Sequence, residues 1–138
     1  MSSNRPRPVA DLHSEPYWEA LRRKILLVQA CASCSRRIHP SAPCCSKCLS
    51  VELEWVEVGG EGVVVSYCVV AQPLVSGIAA PYVVLCVSLL DAPDVHLIAN
   101  VAANSVSGVA VGARVHVVFD LIDDDFVLAN FELVANAA

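Results

Sequence analysis

The chain has 138 residues, long enough for one domain with a real core or for two small modules. It is 56% hydrophobic and only 17% charged, yet its apolar runs, such as Tyr82–Val87, fall far short of a membrane span, so no membrane segment is expected. Charge is unevenly split: residues 1–49 carry eight of the nine cations against three acids, formally +5, whereas residues 50–138 carry Arg114 alone against eleven acids, formally −10.

Residues 1–13 form a Pro/Arg-rich lead-in, expected to be flexible with solvated charges. Met1–Pro8 is polar and Ile25–Val28 is too short for the apolar core of a secretory signal. Seven cysteines without an export signal then imply a reducing, cytoplasmic setting. From Ser14, a capping serine, an early acid, an early proline and late cations predict a short helix over Glu15–Lys24. Trp18 and Leu21 share one face of it, which either packs on the chain's own domain or docks on another protein. Ile25–Gln29 reads as a strand.

Cys31–Cys48 holds two Cys-x-x-Cys pairs, Cys31/Cys34 and Cys45/Cys48, with Cys44 left over. Two such knuckles supply four thiolates that close a tetrahedral shell around one structural zinc ion and leave no position for substrate. A disulfide framework needs an oxidising compartment, and a redox Cys-x-x-Cys comes as one pair opening a helix rather than two pairs in a Pro-rich loop. His39 could stand in for one cysteine, but the spacing favours the four thiols. Arg36, Arg37 and Lys47 lie within the loops, where cations offset the surplus charge of a four-thiolate zinc.

Val51–Val58 resumes as a strand, Gly59–Gly62 turns, and the pattern is β from there on. Predicted strands are Gly62–Val70, Tyr82–Leu90, Val95–Ala102, Arg114–Leu121 and Phe126–Leu133, with one long loop over Ala71–Pro81. The fold class is mainly β: an N-terminal helix and rubredoxin-like zinc ribbon over residues 14–50, then a five-stranded Greek-key OB-fold barrel over 51–138. Val115, Val117, Phe119 and Leu121 alternate with His116 and Asp120, as in a half-buried strand. Tyr82–Leu90 is apolar on both faces, so its outer face needs a cover, from the chain's own helix or, as the preferred expectation, from another subunit. Cys68 and Cys86 sit in apolar strands and are expected to pack as small core hydrophobes.

The ordered set of the Trp18 helix, Cys31-x-x-Cys34, Cys45-x-x-Cys48, Leu53-Glu-Trp-Val56, Gly60-x-Gly62-x-Val64-x-Ser66-Tyr67, Pro81-Tyr82-Val83-Val84 and Val111-Gly112-x-x-Val115-x-Val117-x-Phe119 resembles the zinc-ribbon/OB-fold proteins associated with acyl-CoA enzymes. The resemblance runs from about residue 14 onward. It implies a small non-catalytic subunit that binds a thiolase-like or aldolase subunit, or that sits between such an enzyme and a hydratase or synthase handling the same acyl-CoA; similar proteins accompany steroid side-chain aldolases. The chain departs from the family's pattern at Ser35, where glycine is common, and at Ile38-His39-Pro40, where the spacer is usually more basic.

The residues themselves argue against catalysis: the four histidines, His13, His39, His96 and His116, lie near no recognisable nucleophile turn. Asp123-Asp124-Asp125 lacks the spaced oxygens of a calcium loop and reads as a solvated turn. A partner interface is expected at Trp18, Tyr82 and Val84. The basic run Arg22, Arg23 and Lys24 serves either as a solvated helix end or as contacts to partner acids or to the phosphates of CoA. Nucleic-acid binding, the other function of ribbons and OB barrels, calls for a basic groove with exposed aromatics. One arginine against eleven acids in residues 50–138 argues against it.

Overall fold

The computed structural model describes residues 5–102 and 107–134; Met1–Asn4 of the expected lead-in lie outside the described residues. The order is α1 (Glu15–Arg22), β1 (Leu26–Cys31), β2 (Arg37–Ile38), β3 (Leu53–Val58), β4 (Glu61–Val70), β5 (Tyr82–Leu89), β6 (His96–Asn100), β7 (Arg114–Leu121) and β8 (Val127–Leu133). Among the described residues, no helix is long and apolar enough to cross a membrane.

Helix α1 is capped differently from the sequence expectation. The Ser14 side chain makes no cap bond to the helix. Asp11 does the ordering instead: its carboxylate accepts the N–H groups of His13 (3.0 Å) and Ser14 (2.8 Å). The Ser14 N–H and hydroxyl hold that carboxyl below the usual carboxylate range. The helix stops two residues before Lys24 because Lys24 adopts φ 59°. Ile25 N–H then reaches the Ala20 carbonyl (3.0 Å) and Lys24 N–H that of Leu21 (2.9 Å), a Schellman ending built on lysine where glycine is usual. Tyr17, Ala20 and Leu21 are buried. Of the helix face marked by Trp18 and Leu21, Leu21 is fully buried where the helix packs on β1 and β8, and Trp18 stays half-buried.

Strands β2, β1 and β3 form one small sheet, in which β1 pairs antiparallel with β3 from Leu26 opposite Val58 to Cys31 opposite Leu53. Thus β3, which reads in sequence as the start of the barrel, hydrogen-bonds the strand that enters the first cysteine knuckle. The second sheet has the order β6-β5-β4-β7-β8. A parallel bridge between Val101 and Phe131, with Ala102 N–H donating to the Phe131 carbonyl at 2.7 Å, brings the β6 end against β8 and closes the five strands into the expected OB barrel. One core runs through both sheets: Leu26, Val28 and Val58 of the ribbon pack in the same cluster as Leu85, Val87, Val115 and Phe131 of the barrel, with Tyr17 and Leu21 from α1.

Gly60 and Gly62 make the corner where β3 passes into β4. Gly60 has φ +80°, and a Cβ there would collide with Val117. A Cβ on Gly62 would collide with Val87 and sit 2.8 Å from the Ser88 carbonyl oxygen, so β4 and β5 approach as closely as they do only because this residue has no side chain.

The two-sided apolarity of β5 divides cleanly: Val83, Leu85, Val87 and Leu89 point into the barrel, and Tyr82, Val84, Cys86 and Ser88 point outward, half-buried. Part of the outer cover comes from the chain itself, since Pro6, Pro8, Val75 and Ile78 stand around Tyr82 and Val84. A register shift between Val64 and Ser66 reverses the phase of β4, so Ser66 and Cys68 turn outward beside Cys86 and Val84. Cys68 is therefore exposed and Cys86 half-buried on the outer face, not in the core. Alternation read from sequence has no way to register a one-residue bulge.

Candidate metal centre and the surface around it

The four cysteines lie on two knuckles of the same shape. Cys31 N–H donates to the Arg36 carbonyl (2.8 Å) and Ser35 N–H to the Cys31 carbonyl (2.8 Å). In the second knuckle Cys45 N–H donates to Ser50 (2.9 Å) and Leu49 N–H to Cys45 (2.9 Å). The residue after the second cysteine is left-handed in both, with φ 65° at Ser35 and 64° at Leu49. This conformation explains why glycine suits that position and shows that serine and leucine adopt it here under strain.

The thiol sulfurs of Cys31, Cys34, Cys45 and Cys48 all lie within 4.8 Å of one another, with Cys31–Cys48 at 3.5 Å and Cys34–Cys45 at 3.6 Å. A tetrahedral zinc with bonds of about 2.3 Å needs sulfur–sulfur edges of about 3.8 Å, so these donors fit one ion with small adjustment. Knuckle N–H groups prepare the sulfurs for charge. The Cys34 N–H lowers the Cys31 thiol, and the Cys48 N–H, with that of Lys47 (3.4 Å), draws Cys45 down to about 6. The Ser50 N–H favours the Cys48 thiolate too, but the neighbouring sulfurs share its proton and push it up to about 11. Four sulfurs crowded together without a cation cannot all lose their protons. A bound zinc would close the shell and cross-link the end of β1 to the segment leading into β3. Cys44 stands outside the group of four. His39 is turned away from it and packs on the Tyr17 ring at 5.2 Å.

Trp18, Tyr82 and Val84 come together although they lie far apart in sequence. They line one surface cavity of about 440 Å³ with Tyr17, Ile98 and Leu128. Trp18 also meets the Phe126 ring at 5.2 Å and Tyr17 edge-on at 4.9 Å. The basic run does not act as a unit. Arg22 is engaged within the chain, donating to the Asp125 carbonyl (2.9 Å) and pairing with its carboxylate (3.2 Å). Arg23 and Lys24 have no ion-pair partner among the described residues.

Sequence reasoning missed the role of the lead-in. Arg5 donates to Asn100 Oδ1 at 2.7 Å, in a chain that continues from Asn100 N–H to Asn130 Oδ1 (3.1 Å) and from Asn130 Nδ2 to Asp120 (2.7 Å). Arg7 pairs with Asp123 (3.3 Å) and Asp125 (3.2 Å) and lies over the Phe126 ring at 4.8 Å. The expected solvated tail and solvated acidic turn are thus partners of each other. The available signal was the opposite charge of two runs, Arg5/Arg7 and Asp123–Asp125, more than a hundred positions apart, which no local pattern connects. The histidines are dispersed: His116 pairs with Glu132 across β7 and β8 at 2.6 Å, and His39 sits against Tyr17.

Helix, four-cysteine ribbon and closed five-stranded barrel on one continuous core define a zinc-ribbon/OB-fold protein. Residues 18–54 match the family model of the ChsH2 rubredoxin-like zinc ribbon domain, and residues 55–120 that of the ChsH2 C-terminal OB-fold domain. The chain belongs to the ChsH2 (DUF35) family. A chain of the solved Ltp2-ChsH2(DUF35) aldolase is 30% identical with a TM-score of 0.83, the likeness covering 92% of this chain and 98% of that one. A DUF35-family protein of unknown function from Sulfolobus solfataricus shares the fold at 17% identity, with a TM-score of 0.66 over 91% of this chain and 87% of that one. Among curated proteins, a probable enoyl-CoA hydratase alpha subunit from Thermomonospora curvata is 33% identical over 121 residues, which are 88% of this chain and 37% of that protein. The chain therefore spans little more than a third of that relative's length.

Proposed function

We propose that this chain is a non-catalytic accessory subunit of a thiolase-superfamily acyl-CoA enzyme, most simply an aldolase, whose partner it stabilises and whose acyl-CoA it helps to hold. The single observation that carries the reading is the likeness to the Ltp2-ChsH2(DUF35) aldolase over nearly the whole of the matched chain. The hydratase name of the T. curvata relative supports a hydratase acting on the same acyl-CoA as a further partner. A four-thiolate shell has no open coordination position, and the four histidines stand apart, His116 against Glu132 and His39 against Tyr17, which supports leaving the bond-making to the partner. Steroid side-chain acyl-CoA thioesters are the substrate class that the family resemblance favours.

The docking surface is assigned to the half-buried outer face of β5 with Trp18, that is Trp18, Tyr82 and Val84, continued by Ile98, which is 69% exposed. Arg23 and Lys24 are the cations left to meet CoA phosphates or partner acids, Arg22 being tied to Asp125. The test is co-expression with the thiolase-like gene nearest this one. A comigrating complex that cleaves acyl-CoA, with no turnover by this chain alone, is expected. Turnover by the isolated chain at the rate of the complex, or no complex at all, would overturn the reading. Salt-sensitive micromolar binding to single-stranded DNA or RNA would replace it with a nucleic-acid function.

A further inference from the structure

The lead-in does more than fill space. Arg5 and Arg7 anchor it at two separate points of the barrel, the Asn100 side chain on β6 and the acidic hairpin between β7 and β8. Between the anchors, Pro6 and Pro8 stand over the cavity walled by Trp18, Tyr82, Val84 and Ile98. The proline rings fix φ near the extended value and lack N–H donors, so this stretch lies on the barrel without adding a strand to it.

The two anchors differ in strength. Arg5 is half-buried and enters a hydrogen-bonded side-chain chain that ends on Asp120. Arg7 makes its ion pairs at the surface, with 45% of its side chain exposed and Asp125 58% exposed. Exposed pairs of this kind are weak and are screened by salt, so the Arg7 anchor is closed most of the time yet easily opened.

We propose that the 5–8 segment is a displaceable strap, latched by Arg7 on Asp123, Asp125 and Phe126, and that it competes with the partner subunit for the apolar outer face of β5 and β6. The occupant of the uncovered face is the thiolase-like subunit, so the competition rests on the functional reading above, whereas the latch is a property of this chain alone. Two ion pairs, to a half-buried Asp123 and an exposed Asp125, and one cation–π contact give the Arg7 latch a closed-to-open ratio of about ten. Removing the strap, which takes away the Arg5 anchor as well, should tighten partner binding by at least that factor.

The latch is tested on the isolated chain carrying Trp55→Phe, so that Trp18 emission reports alone. Arg7→Glu, or molar sodium chloride on the Arg7 chain, should shift Trp18 emission to the red and raise binding of an apolar-surface dye, with zinc content unchanged. A synthetic peptide of residues 2–12 added to a chain lacking residues 1–9 should reverse both changes, and the same peptide with Arg7→Glu should not. Emission and dye binding that ignore the charge reversal, the salt and the peptide would overturn the latch. Competition is then read as the Kd for the co-expressed partner with and without residues 1–9. Equal Kd values would overturn the competition and leave the accessory-subunit reading standing; failure to form any complex would sink that reading and the competition together while the latch results still hold.

Discussion

Replacing Cys34 by serine tests both the metal and its place in the fold. Its sulfur lies 3.6 Å from that of Cys45, and the four sulfurs fit within 4.8 Å, so each supplies one corner of the shell. A serine hydroxyl keeps its proton and reaches less far, which leaves three thiolates. Structural zinc binding by such shells is worth about 10–16 kcal/mol. Losing one corner of four removes about 3 kcal/mol, a drop of about a hundredfold or more in zinc affinity. The loss does not stay local, because Cys31 ends β1, and Leu26 and Val28 of that strand belong to the core shared with the barrel. A deficit of about 3 kcal/mol corresponds to roughly 10 °C in Tm for a chain of this size. The assay is elemental zinc analysis after dialysis against a chelator, with thermal unfolding followed in parallel. One zinc per chain is expected for the wild type and for Cys44→Ser, and markedly less for Cys34→Ser. Full zinc retention and an unchanged Tm in Cys34→Ser, or loss of zinc in Cys44→Ser, would refute the four-cysteine assignment.

Gly62→Ala should destabilise by about 2 kcal/mol, since its Cβ has no room against Val87 and the Ser88 carbonyl; chemical denaturation measures it, and a neutral result would mean that β4 and β5 separate easily. Leu49→Gly should stabilise by about 0.5–1 kcal/mol, because it relieves a left-handed leucine that is 73% exposed; a lower denaturation midpoint would contradict the strain argument. Burial pushes the Tyr17 hydroxyl up to about 12 from its ordinary value near 10. A raised folded value means the stabilisation is complete below pH 10 and is lost as pH climbs through 12, a fall of about 2–3 kcal/mol that Tyr17→Phe should lack when the two are unfolded side by side across that range. Val84 points outward, so Val84→Asp should fold with its zinc yet fail to bring down the partner; a variant that binds the partner normally would remove this residue from the interface.

The metal ligands were legible because the chemistry is local: two knuckles with fixed spacing carry the ligand set within eighteen residues, and the sulfurs of Cys31, Cys34, Cys45 and Cys48 do converge. The β pattern was legible for a similar reason, as residue alternation is a property of each strand alone, and β7 falls at Arg114–Leu121 as the sequence reading places it. The misses are long-range or one residue wide. The two-residue β2 is too short to carry a period, the bulge after Val64 turns Cys68 to the surface, and a lysine in place of glycine ends α1 early; Cys86 lies on the outward side of β5 by plain alternation, and apolar residues on both faces of that strand hid which side was the inner one. The assignment of β3 to the ribbon sheet required knowing that Leu26–Cys31 lies beside it. Above all, the pairing of Arg7 and Arg22 with the acidic hairpin joins segments over a hundred residues apart. Charges of opposite sign declare only that they could meet; closure of the barrel and packing of α1 on β8 bring them within 3.3 Å, and that proximity belongs to the tertiary structure alone.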